Sequence, residues 1–125
     1  KIDCFHERVV EIKMEKEFFF ITDKIGVNKE EHTIIQPWHL HPEVSGEKIE
    51  THTFILQYHK ANRKVKAVFS PLLNIEIIKG QTGPVLGWYS PSFLKKEPTN
   101  VLHCFLETNI AEKIILTTIL QIIYF

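Results

Sequence analysis

Two groups of residues have the types and spacing that chemistry could use. His39 and His41 form a His-x-His pair. On a strand, residues two apart share a face, so both imidazoles would point the same way. That is a geometry for two zinc ligands, with His32 or Glu43 as a third. Histidines beside Trp38 and Pro42 more often serve packing or hydrogen bonding, and that structural reading is the leading one. The second group is Trp88, Tyr89 and Phe93, followed by Lys95 and Lys96. Aromatic faces could stack on a sugar ring, the Tyr89 hydroxyl could hydrogen-bond it, and the two ammonium groups could meet a carboxylate or sulfate. The competing reading is a buried aromatic cluster anchoring a long loop, with the lysines solvated. Packing leads for the aromatics, and both readings stand for the lysines.

General-base chemistry would need Tyr89 or a histidine held by a partner. No such pairing is visible in the spacing, and His52, His59 and His103 read as structural or surface residues. There is no nucleophile elbow, phosphate loop, paired-cysteine zinc motif or dinucleotide fingerprint. No residue is therefore assigned as catalytic. No cofactor is assigned either.

The elements that must position these residues are strands. Val9 to Met14 and Phe18 to Asp23 read as a hairpin turning at Glu15-Lys16-Glu17. His32 to Gln36 and Trp38 to Leu40 extend as a strand broken locally by Pro37, which suits an edge or a bulge. Glu43 to Lys48 reads as a loop around Ser45-Gly46, and Ile49 to Tyr58 as an alternating strand. Val65, Ala67 and Phe69 share one face of the next strand, and Leu73, Ile75 and Ile77 repeat the pattern. Lys79 to Pro84 is a turn cluster. Val101 to Leu106 alternates again, Asn109 to Lys113 offers a weak helical turn, and Ile114 to Ile123 closes the chain as a β-branched strand. No window sustains a helical period. The expected fold is all-β: one domain over residues 1–125, an antiparallel, jelly-roll-like β-sandwich of about eight to ten strands.

Composition agrees with a folded domain. The 125 residues are 44% hydrophobic and 24% charged, with fifteen basic residues balancing fifteen acidic ones. A chain of this size can bury a core without metals or disulfides. Zero net charge provides no global field for nucleic acid or an anionic membrane, and neither is expected as a partner. The apolar run from Ile114 is shorter than the roughly 20 residues a helix needs to span a bilayer. Cys4 and Cys104 are too far apart in sequence for their number alone to establish a disulfide. The chain opens at Lys1-Ile2-Asp3 with no initiator methionine or leader, so a processed product or a piece of a longer protein is expected.

The order of segments resembles the C-terminal sheet region of heparinase II/III-like polysaccharide lyases. The residues that carry the resemblance are Arg8-Val9-Val10, Phe19 to Ile25, and His32 leading into Trp38-His39-Leu40-His41-Pro42. They continue with Gly87-Trp88-Tyr89-Ser90-Pro91, Lys96-Glu97-Pro98 and Ile115 to Leu120. The resemblance implies a parent enzyme that joins a helical toroid to a large β-sandwich and cleaves uronic-acid-containing polysaccharide by β-elimination. None of the family's catalytic positions maps onto a residue here. What it implies for this chain is a non-catalytic C-terminal domain whose partners are the missing N-terminal toroid and an acidic polysaccharide such as a glycosaminoglycan. Zinc or calcium would belong to the parent, and the expected compartment is the bacterial periplasm or exterior. Two alternatives stand beside it. One is a stand-alone carbohydrate-binding module using Trp88, Tyr89, Lys95 and Lys96; the other is a small metal-dependent enzyme built on His39 and His41.

Overall fold

Strand-forming, β-branched and aromatic residues dominate the chain, and the computed structural model turns nearly all of them into antiparallel sheet. It describes residues 5–26, 32–82, 85–89, 96–108 and 113–124. In chain order the strands are β1 (Phe5–Lys13), β2 (Phe18–Gly26), β3 (His32–His39), β4 (Val44–Glu50), β5 (Thr53–Tyr58), β6 (Arg63–Phe69) and β7 (Asn74–Lys79). Four two-residue pieces follow: β8 (Gln81–Thr82), β9 (Val85–Leu86), β10 (Trp88–Tyr89) and β11 (Glu97–Pro98). The long strands β12 (Asn100–Thr108) and β13 (Lys113–Tyr124) complete the set. Among the described residues there is no α-helix, and no helix is long and apolar enough to cross a membrane.

Two sheets face each other. The larger has six strands in the order β1-β2-β13-β6-β5-β4, and the smaller has three in the order β3-β12-β7. The last long strand, β13, lies at the centre of the larger sheet between β2 and β6. Its alternation decides which side chains go inward: Ile114, Leu116 and Thr118 are buried, while Lys113, Ile115 and Thr117 are exposed. Their inward neighbours Ala67 and Phe69 on β6 and Phe54 on β5 meet Leu102 and Cys104 of β12 across the layer. Phe54 and Phe69 pack edge to face at 5.9 Å, and Trp38 leans on Phe69 at 6.0 Å. This layer of aliphatic side chains with the Phe54, Phe69 and Trp38 rings packed together is the hydrophobic core of a β-sandwich.

The expected hairpin at Glu15-Lys16-Glu17 is present. A short 3-10 turn over Met14–Lys16 joins β1 to β2, and Glu17 takes the left-handed conformation that closes it. Pro37 lies in β3, an edge strand, where the missing N–H costs no ladder bond. Two expectations need correction. The Glu43 to Lys48 segment is strand from Val44 onward, the far edge of the larger sheet. Its side chains are mostly polar, half-buried at the start and exposed from Glu47 onward, so pairing with β5 defines it and no alternation announces it. The expected strand from Ile49 to Tyr58 is interrupted. Ile49 and Glu50 finish β4 through a bulge, and the chain turns at Thr51-His52 before β5. The His52 side chain holds that turn through Leu73 O at 2.9 Å, while its carbonyl accepts from Phe69 N. Lys79 to Pro84 is the expected turn as far as it is described, though Gln81–Thr82 pairs briefly with Val85–Leu86. The helical turn expected at Asn109 to Lys113 lies outside the described residues up to 112, and Lys113 already belongs to β13.

Candidate functional site

The two segments singled out by sequence meet at one end of the smaller sheet. Residue His39 of β3 stands opposite Val101 of β12, and Lys79 of β7 stands opposite Asn100. Beyond the strand ends, Leu40 N donates to Asn100 O at 3.0 Å, and the Thr99 hydroxyl donates to Leu40 O. The Gly87 carbonyl accepts from both Gly80 N and Thr99 N, each at 2.8 Å. Trp88 and Tyr89 pair with Pro98 and Glu97. Backbone hydrogen bonds therefore fasten the Gly87 segment to the end where β3 leaves the sheet.

Each predicted site residue can now be placed. His39 is the last residue of β3 and exposed. His41 is not on the strand as expected; it lies in the following turn, where its Nδ1 accepts the Glu43 N–H at 3.1 Å. Pro42 and Glu43 turn the chain toward β4, so the two imidazoles do not share a strand face. Among the described residues no group of three or more histidine, cysteine, aspartate or glutamate side chains is placed to hold a metal ion. Trp88 and Tyr89 have described backbone but lie outside the described side chains, and Phe93 and Lys95 lie outside the described residues altogether. Lys96 is exposed next to β11. Cys104 is a buried free thiol, and Cys4 lies outside the described residues. Burial pushes the Cys104 thiol up to about 12.

A different cluster, missed from sequence, holds the tightest polar chemistry. Asp23 of β2 is 1% exposed and points into the layer between the sheets. Its Oδ1 accepts from His6 Nε2 and from Arg8 Nε, each at 2.7 Å. Its Oδ2 accepts from Arg8 Nη2 at 3.2 Å and from the Gln36 side-chain amide at 2.8 Å. A carboxylate can only accept, so His6 carries its proton on Nε2. Arg8 also lies 5.5 Å over the Trp38 ring, a cation–π contact. These side chains line a cleft of about 330 Å³ at the open edge between β2 and β3.

Burial by itself would raise the Asp23 pKa. The hydrogen bonds and charges of Arg8 and His6 outweigh it and hold the carboxyl below its ordinary value. A buried carboxylate orienting an imidazole is also the pairing used in general-base catalysis. Here each carboxylate oxygen already receives two hydrogen bonds, and the donors come from His6 and Arg8 of β1 and Gln36 of β3. The arrangement is a lock between the two sheets. The signal in the sequence was Asp23 at an inward position between Ile21 and Ile25, a charge that needs partners wherever the strand is buried. Gln36 Oε1 and Trp38 Nε1, both buried, make no hydrogen bond to any described residue.

No protein-family profile matches the chain, and no curated protein or solved structure matches it either.

Proposed function

We propose that the chain is the non-catalytic C-terminal sheet domain of a heparinase II/III-like lyase, supporting a helical catalytic toroid and bordering a cleft for acidic polysaccharide. The observation that supports this reading is the convergence of Trp38 to Glu43 with the described residues 87–89 and 96–99 at one end of the smaller sheet. Those are the segments on which the resemblance rests most heavily. The same end of the sheet carries exposed Lys79, Lys96, His39 and His41, together with the carboxylates of Glu43 and Glu97. Ammonium groups and imidazole donors on a rigid sheet end suit uronic acid carboxylates and sugar hydroxyls. The Asp23 lock, with both oxygens saturated, is consistent with a scaffold rather than a reaction centre. A parent of this kind works on extracellular polysaccharide, in the bacterial periplasm or outside the cell.

The test is enzymatic and genetic. The isolated chain is expected to release no unsaturated uronic acid from heparin, heparan sulfate or alginate, read by ultraviolet absorbance; turnover by this chain alone overturns the reading. The reading frame that encodes it is expected to carry a long helical region ahead of Lys1. A frame without one favours the second reading, a stand-alone carbohydrate-binding module. In that case Trp88→Ala abolishes polysaccharide binding while leaving the far-ultraviolet circular dichroism unchanged.

A further inference from the structure

We infer that the free edge of β1 is a self-association surface, pairing antiparallel with β1 of a second copy about a twofold axis through Val10. This surface lies at the edge of the larger sheet and is independent of the smaller-sheet end described above.

The sandwich has four sheet edges, and three are blunted. β3 carries Pro37, β4 is bulged between Lys48 and Glu50, and β7 is short and bears Glu76 and Lys79. Such devices suppress edge-to-edge pairing. Among its described residues β1 has neither proline nor bulge: it runs from Phe5 to Lys13 and pairs residue for residue with β2. The charges it does carry, Glu7, Arg8, Glu11 and Lys13, are of both signs and match one another in one register. Every residue along it is exposed, including Phe5, Val9, Val10 and Ile12. Met14, just beyond its end, is 80% exposed, the highest value among the exposed large hydrophobic residues.

Symmetry and charge then select one register. Two copies pairing edge to edge keep their core faces on the same side, so the twofold axis is perpendicular to the sheet and passes through a residue. Centred on Arg8, the axis sets Arg8 against its own copy. Centred on Val9, it sets Glu7 against Glu11 twice. Centred on Glu7 or Glu11, it sets a glutamate against itself, and centred on Phe5, His6, Ile12 or Lys13 it overlaps at most three residues of each β1. Directly opposed like charges are destabilising. Centred on Val10, the axis sets Glu7 against Lys13 twice, Arg8 against Ile12 and Val9 against Glu11, with no like-charge pair. Glu7 and Lys13 share the outward face, because Arg8 between them reaches the buried Asp23. The same register brings the Met14 end of each hairpin alongside the start of the other copy's β1 and covers its apolar side chain. The charges on β1 therefore act as a register code for a second copy, and the larger sheet runs without interruption through both.

Sedimentation velocity over a concentration series, with disulfide trapping, tests this. The chain is expected to form a dimer at micromolar concentration. Lys13→Glu, which opposes two glutamates twice, should weaken it roughly tenfold or more, and Glu7→Lys with Lys13→Glu should restore it. In a Cys4→Ser background, Val10→Cys should oxidise to a covalent dimer while Glu11→Cys does not, because only residue 10 meets itself across the axis. A chain that stays monomeric throughout, a dimer indifferent to Lys13→Glu, or trapping at residue 11 as readily as at residue 10 overturns the assignment. Pairing of β1 with a different protein's strand, and not with its own copy, overturns it as well.

Discussion

The carboxylate of Asp23, on the larger sheet, accepts a hydrogen bond from the side-chain amide of Gln36, on the smaller sheet, at 2.8 Å. With Arg8 on the same carboxylate and over Trp38, three strands of two sheets are tied at the edge where the sandwich would otherwise open. Asp23→Asn keeps the shape and removes the charge. Arg8 and His6 are each about half exposed and can regain water, so the loss is smaller than for a fully buried ion pair. We expect a destabilisation of about 2 kcal/mol, measured by urea unfolding. A variant as stable as the parent would show that the lock contributes nothing.

The same carboxylate makes stability depend on acid. Its pKa in the folded chain is held below the ordinary value of 3.8. A group with a depressed folded pKa stabilises fully above its unfolded value and loses that contribution as pH falls through the folded one. The contribution of the Asp23 charge to the stability gap between the parent and Asp23→Asn should therefore shrink as pH drops below 3.8. Taking the difference between the two proteins cancels the other carboxylates. A gap that widens in acid would contradict the sign.

The Cys104 thiol is fully buried beside Leu102 and Leu116, with its pKa raised to about 12 by burial. Thiolate is the reactive form, and at neutral pH this site holds almost none of it. Alkylation by iodoacetamide, located by peptide mass spectrometry, should modify Cys104 only under unfolding conditions. Rapid modification of Cys104 in the native chain would mean that the core layer opens far more often than its packing implies.

Local alternation made much of this fold legible. Val65, Ala67 and Phe69 announce an inward face at every second residue, and the structure buries Ala67 and Phe69 in the core. The closing strand was legible from its β-branched run, but its inward face was not, because Ile114-Ile115-Leu116 and Thr117-Thr118 do not alternate. Pro37 marked its strand as an edge or a bulged one, and β3 is an edge. β4 was not legible, because an edge strand with polar side chains has no apolar period and is defined only by its neighbour β5. The Asp23 lock was hidden for another reason: its partners lie 13 to 17 positions away on other strands, and only the sheet register brings them together. The Gly87 to Pro98 segment stood out for its composition. Its junction with Leu40, through a residue 59 positions distant, is a product of tertiary pairing that no local pattern encodes.

That junction turns on Gly87. Its φ is +84°, a conformation that residues with a Cβ rarely adopt, and its carbonyl accepts from both Gly80 and Thr99. A Cβ built there would stand 2.7 Å from Gly80 N and 2.8 Å from Lys79 Cα, both rigid backbone atoms. Gly87→Ala must therefore shift the segment away from β7 and break at least one of the two hydrogen bonds, at a cost of about 3 kcal/mol. Gly46 provides the control. It lies in regular strand, and its added Cβ would meet Leu56, Ile77 and Leu102 at 3.5 to 3.8 Å, ordinary contact distances with flexible side chains. Gly46→Ala should change stability by less than about 1 kcal/mol. Thermal or urea unfolding of the two variants side by side checks both. If Gly87→Ala is as mild as Gly46→Ala, the Gly87 segment is not anchored to the sheet end, and the proposal that this end borders a polysaccharide cleft loses its geometry.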